Sequence, residues 1–171
     1  VQVKNPVMAT LRNAYYRTIR HIPGLKAYTN SMKGKPVPGF QSGFVARPDH
    51  QNTPVGRTFP NYDVGTENGR MLLDDYVGHD FCIYGLNADP RTLLTPKQVE
   101  EWEQWGARFI TIKTGTLVVA KDEVGDAVGR LWEWFQNYRA TLVIVRPDRI
   151  VYGIDSDLVD LSPKYTARRS A

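Results

Sequence analysis

The segment Phe81-Cys82-Ile83-Tyr84-Gly85-Leu86 carries no charge and no proline. Successive side chains of a strand point to opposite faces, so a run that is apolar at both odd and even positions must be covered on both sides. This demand excludes a sheet with one face in water and asks for helices on either side of a central strand. The flanking sequence supplies them. Thr95-Pro96-Lys97-Gln98 is a helix start, with Thr95 as cap, Pro96 at the first helical position and Gln98 placed to reach back in a capping box. That helix is predicted to run through Val99, Trp102 and Trp105 and to stop at Gly106. Leu72 and Leu73 lead into a short helical turn over 74–78, while 108–112 and 117–120 read as strands.

Asp122 is expected to cap a second helix. Its apolar residues Val124, Ala127, Val128, Leu131, Trp132 and Phe135 fall at spacings of three and four, with Asp126, Arg130, Glu133 and Asn137 on the other side. Thr141–Val145 and Ile150–Ile154 then form two strands separated by Arg146-Pro147-Asp148-Arg149, which is hairpin length. Strand, helix, strand, strand, helix and closing hairpin make an α/β pattern. The best fit is a thioredoxin-like sandwich, a mixed central sheet with helices on both faces, preceded by a helical arm and an irregular linker.

The arm comes first in the chain. Val7, Leu11, Ala14, Tyr15, Thr18, Ile19 and Ile22 recur at helical spacing over 6–28, and Pro23-Gly24 interrupts them. Pro36, Pro38, Pro48, Pro54 and Pro60 then mark residues 33–62 as an irregular connector without packed elements. The expected organisation is an arm and linker over 1–48, a thioredoxin-like domain over 49–157 and a frayed basic tail over 158–171. Opening with Val1, the chain is expected to be a piece of a longer protein.

The formal net charge of +4 is unevenly spread. Residues 1–48 hold eight basic side chains and no acid, leaving fourteen basic against eighteen acidic groups in the remainder. The basic arm has no compact Lys/Arg run and no binding module, so its charges are read as a solvated face or a surface against another domain. Neither nucleic acid nor membrane is expected as a partner. No segment approaches the roughly 18 apolar residues of a membrane-spanning helix.

Little in the sequence carries chemistry. Cys82 is the single cysteine, so an internal disulfide, a CxxC pair and a multi-thiolate zinc site are excluded. Lying inside a strand, it is expected to be a buried structural residue rather than a reactive thiol. A reducing, cytoplasmic setting fits. His21, His50 and His79 are scattered without metal-ligand spacing, and His79-Asp80 reads as a surface pair at a strand entrance. No serine elbow is present. Gly34-Lys35-Pro36-Val37-Pro38-Gly39 has prolines where a phosphate cradle needs N–H donors, and Gly125–Gly129 is expected to lie within the second helix. No catalytic, cofactor-binding or metal residue is expected.

The stretch Leu142-Val143-Ile144-Val145-Arg146-Pro147-Asp148-Arg149-Ile150-Val151 resembles the closing hairpin of the C-terminal domain of FAD-dependent aromatic-ring hydroxylases. This is the group of phenol hydroxylase and 3-(3-hydroxyphenyl)propionate hydroxylase. Gly56-Arg57-Thr58-Phe59-Pro60-Asn61, Leu72-Leu73-Asp74-Asp75, Gly106-Ala107-Arg108-Phe109-Ile110 and the Gly129–Phe135 segment resemble the same group in the same order. The resemblance implies a thioredoxin-like domain without thiol chemistry that follows flavin and substrate domains. The parent would be an NAD(P)H- and FAD-dependent monooxygenase of a phenolic acid such as 3-(3-hydroxyphenyl)propionate. The family's dinucleotide GxGxxG and later flavin motif are missing here, so no cofactor residue carries over; FAD and NAD(P)H belong to the parent. Partners would be the parent's flavin and substrate domains, or a second copy. Arg146, Pro147, Asp148 and Arg149 read as a structural turn, since Pro147 sets φ and Asp148 can accept from nearby amides. Alternatively, Arg146 docks a partner domain. The other reading of the whole chain is a stand-alone thioredoxin-like binding module, without redox activity, that oligomerises through the 7–22 helix.

Overall fold

A computed structural model describes Thr10 and residues 44–46, 53–155 and 160–163. The chain divides into two compact units, Val1–Pro38 and Gly39–Ala171. The expected arm helix lies outside the described residues apart from Thr10, which is helical and exposed, and so does the tail from Lys164 onward.

In the second unit the described strands form one sheet. They are β1 (Asp63–Thr66), β2 (Gly69–Leu72), β3 (Cys82–Leu86), β4 (Arg108–Thr114), β5 (Glu123–Asp126), β6 (Leu142–Val145) and β7 (Val151–Ile154). The order across the sheet is β2-β1-β5-β4-β3-β6-β7. β3, β4 and β5 run parallel, and β6 and β7 close one side as an antiparallel hairpin against β3. The helices are α1 (Leu73–Val77), α2 (Pro96–Gln104) and α3 (Arg130–Tyr138). The unit β3-α2-β4, followed by α3 and the β6–β7 hairpin, is a thioredoxin-like core, and it bears out the expected α/β sandwich.

Period-two alternation sorts the core into two layers. Cys82, Tyr84, Val143 and Val145 face α1 and α3, packing with Leu73, Val77, Leu131 and Phe135. Ile83, Leu142 and Ile144 face α2 and pack against Trp102. Each fully buried side chain of this size contributes about 1.5–3 kcal/mol. α2 starts as its residues require: Thr95 Oγ1 accepts from Gln98 N–H at 3.3 Å, and Gln98 Oε1 accepts from Thr95 N–H at 3.0 Å.

Four expectations are corrected. The chain from 122 does not begin a helix; Glu123–Asp126 is β5, and α3 starts only at Arg130. Val124 is buried in that strand, while Val128 is 71% exposed, so the proposed apolar stripe is real only from Leu131 onward. Residues 117–120 are irregular, and the strand expected there is the one that follows. The connector is irregular over its described residues, yet Val45, Ala46 and Phe59 are buried, and Asp63–Leu72 forms the β1–β2 hairpin. Asn68-Gly69, a strong hairpin signal, marks that turn; the Thr66 hydroxyl donates to Gly69 C=O and accepts from Asn68 N–H. Residues 160–163 were assigned to the frayed tail, but Leu161 is buried and its carbonyl accepts from Trp102 Nε1–H at 2.8 Å.

Candidate functional site

The residues singled out in the sequence fall at two places. Cys82 lies in β3, buried, and its thiol donates to Asp80 C=O across 3.8 Å. Burial pushes the thiol up to about 11, so at neutral pH it is protonated. Tyr84, fully buried beside it, is pushed up for the same reason. His79 and Asp80 are exposed at the mouth of β3. Among the described residues no group of three His, Cys, Asp or Glu side chains is arranged to hold a metal ion.

The segment Gly125–Gly129, expected inside a helix, is instead the turn from β5 into α3. Asp126 commands it. Buried to 3% exposure, its Oδ1 accepts from Gly129 N–H at 3.0 Å and Arg130 N–H at 3.1 Å, and its Oδ2 from Trp132 N–H at 2.8 Å. A carboxylate at a helix N-terminus meets the orphan amides and the positive end of the helix dipole together. These amides are therefore spent on the chain's own side chain. The sequence reading chose Asp122 as the cap, and an Asp three to four residues before a helix start was the signal for Asp126.

The β6–β7 hairpin brings together Arg146, Pro147, Asp148 and Arg149. Arg149 N–H donates to Arg146 C=O at 2.9 Å, closing a turn with Pro147 and Asp148 at its centre. Arg149 then takes a left-handed backbone, φ 68°, where glycine is usual. Its side chain compensates. One guanidinium nitrogen pairs with the Asp74 carboxylate at the start of α1, and another donates to Phe59 C=O at 3.0 Å. Arg146 grips Asp148 in a two-point pair, Nε to Oδ1 at 3.0 Å and Nη2 to Oδ2 at 2.6 Å. Its remaining nitrogen donates to Phe44 C=O at 3.0 Å. Both arginines thus tie the hairpin to the incoming chain at 44 and 59. A small cleft beside them is lined by Asp74, Val77, Asp80, Tyr84 and Arg149.

Residues 56–167 match the family described as the HcaD C-terminal domain. This chain belongs to that family. The HcaD C-terminal domain match takes in every strand and helix named above. Among curated proteins the chain is similar to the 3-(3-hydroxy-phenyl)propionate/3-hydroxycinnamic acid hydroxylase of Escherichia coli (strain SMS-3-5 / SECEC). The two are 34% identical over 151 residues, covering 83% of this chain and 27% of the relative. The chain therefore spans about a quarter of that relative's length. Among solved structures it is similar to CabE, an aromatic hydroxylase from angucycline biosynthesis, at 15% identity and a TM-score of 0.46, over 86% of this chain and 26% of CabE. OxyS anhydrotetracycline hydroxylase from Streptomyces rimosus gives 18% identity and a TM-score of 0.44, over 87% and 25%. No helix among the described residues is long and apolar enough to cross a membrane.

Proposed function

We propose that this HcaD C-terminal domain is the closing domain of a cytoplasmic FAD- and NAD(P)H-dependent monooxygenase that hydroxylates a phenolic acid such as 3-(3-hydroxyphenyl)propionate. The observation that carries the reading is the 34% identity over 83% of the chain to a hydroxylase of that specificity. In such an enzyme the flavin supplies the oxygen chemistry. The residues described here do not fit the flavin's pyrophosphate. The turn into α3 has its amides taken by Asp126, and the N-terminus of α2 is closed by Thr95 and Gln98. FAD and NAD(P)H are accordingly assigned to the rest of the parent chain, and no catalytic step is assigned to these residues.

The role of the domain itself is structural: it docks against the flavin and substrate domains and contributes to subunit contact. A thiol held protonated in a buried strand supports a thioredoxin-like scaffold without thiol chemistry. The experiment has two arms. Reading the gene upstream of the Val1 codon is expected to show a long open frame with a GxGxxG motif near its start; a start codon immediately before Val1 would overturn the parent assignment. Mixing the purified chain with FAD and desalting it is expected to leave no flavin absorbance. Stoichiometric retention would overturn the assignment of FAD to other domains.

A further inference from the structure

The outer edge of β7 is occupied at two places. Residues 56–59 take the Val151 end, with Gly56 N–H donating to Val151 C=O at 2.9 Å and Val151 N–H donating to Arg57 C=O at 2.8 Å. Further along, Ala46 N–H donates to Tyr152 C=O at 2.7 Å. Phe44, Val45 and Ala46 alternate about this edge. Phe44 and Ala46 join the layer that faces α2, and Val45 joins the opposite layer.

Each of the three residues meets a feature suited to it. The Phe44 ring stacks on Trp105 at 5.0 Å between centroids and 20° between planes, and it also meets Phe81 and Tyr152. Arg146 donates to Phe44 C=O. Val45 is buried to 3% exposure. Ala46 lies over Gly153, where an added Cβ would come within 3.1 Å of Ala46 Cβ and 2.7 Å of Leu161 Cδ2. The glycine thus leaves room for a methyl and for little more. Main-chain bonds to an open edge together with pockets for alternate side chains are the elements of strand-addition recognition.

From this we infer that the β7 edge is a peptide-receiving groove that reads the pattern aromatic, aliphatic, small. Phe44-Val45-Ala46 fills it in cis, and the partner it fits in trans is the same segment of a second copy of this chain. Arg146 is the residue that selects, because its guanidinium is fixed by Asp148 with one donor left for the carbonyl of the aromatic residue. The inference stands on the groove alone and is independent of the hydroxylase reading. In the intact chain the tethered segment outcompetes a free one through its high effective concentration.

The test uses the full 171-residue chain and a labelled synthetic peptide of sequence Ser-Gly-Phe-Val-Ala-Arg, residues 42–47. Phe44→Ala should vacate the groove, and this variant should bind the peptide at least tenfold more tightly than the unaltered chain does. A peptide with leucine in place of Ala46 should fail to bind. A folded Phe44→Ala variant that ignores the peptide, or that accepts both peptides equally, overturns the inference. Hydrogen exchange on the otherwise native chain gives an independent reading. Arg146→Ala should raise exchange at the Ala46 amide at least tenfold while the Ile83 amide is unchanged, and Arg146→Lys should restore part of the protection. Equal protection at Ala46 in all three proteins also overturns it.

Discussion

Gly65 of β1 and Gly125 of β5 lie opposite each other in the sheet, and the backbone of Thr116 and Leu117 crosses directly above both. A Cβ on Gly65 would fall 2.2 Å from Leu117 O, and one on Gly125 would fall 2.4 Å from Thr116 O. The obstacle is main chain, which cannot swing aside as a side chain can. Gly65→Ala and Gly125→Ala are each expected to destabilise the domain by about 1–3 kcal/mol, read as a lower urea midpoint with an unchanged slope. A midpoint within error of the unaltered chain would show that the 115–121 loop yields.

Asp126 holds three amides from a buried position, so its removal leaves them without partners. Asp126→Ala should cost about 2–3 kcal/mol, at the upper end for a cap because the group is charged and buried. Asp126→Asn should recover part of the loss, since its one carbonyl oxygen still accepts. Thermal denaturation of the two variants side by side checks the order.

The raised thiol of Cys82 makes stability fall in alkali. In the unfolded chain this thiol ionises near its ordinary value of 9.0, whereas in the folded domain it holds its proton to about 11. Between these values the folded state binds more protons than the unfolded one, so unfolding becomes easier as pH rises. Stability is fully present below pH 9 and should decline by about 2–3 kcal/mol by pH 11, at about 1.36 kcal/mol per pH unit. Cys82→Ala should flatten part of that decline, although Tyr84, shifted in the same direction, keeps a share. A slope unaffected by the substitution would contradict the assignment. By the same logic, iodoacetamide should label Cys82 in the native chain no faster than global unfolding exposes it.

The pair Asp74–Arg149 joins α1 to the hairpin turn, with the arginine held in a left-handed backbone. A double-mutant cycle with Asp74→Ala and Arg149→Ala should give a coupling of about 1–2 kcal/mol, above the usual value for exposed pairs because Arg149 is mostly buried. Arg149→Gly should cost less than Arg149→Ala, since glycine accepts the backbone angle without strain. Equal losses for both substitutions would mean that the left-handed conformation carries no penalty here.

Much of this architecture was legible in local sequence. The capping box at Thr95, the apolar run over 81–86 and the turn at 146–149 are each decided by residues a few positions apart, and all three stand in the structure where they were expected. The misreading of 122–129 has a physical cause: Val124, Ala127 and Val128 fit a helical spacing as well as a short strand and loop. What resolves the ambiguity is remote, because β5 exists through pairing with β4 on one side and β1 on the other.

The sequence alone therefore determined the class of fold, a sheet covered on both faces and closed by a hairpin, since apolar periodicity, caps and turn chemistry act over a few residues. Only the tertiary structure decided what the turn residues hold. Arg146 reaches Phe44 and Arg149 reaches Asp74 and Phe59, partners far away in the chain. A charge in a turn advertises a bond without saying to what, because hydrogen-bond partners are chosen by proximity in the folded chain and not by spacing along it.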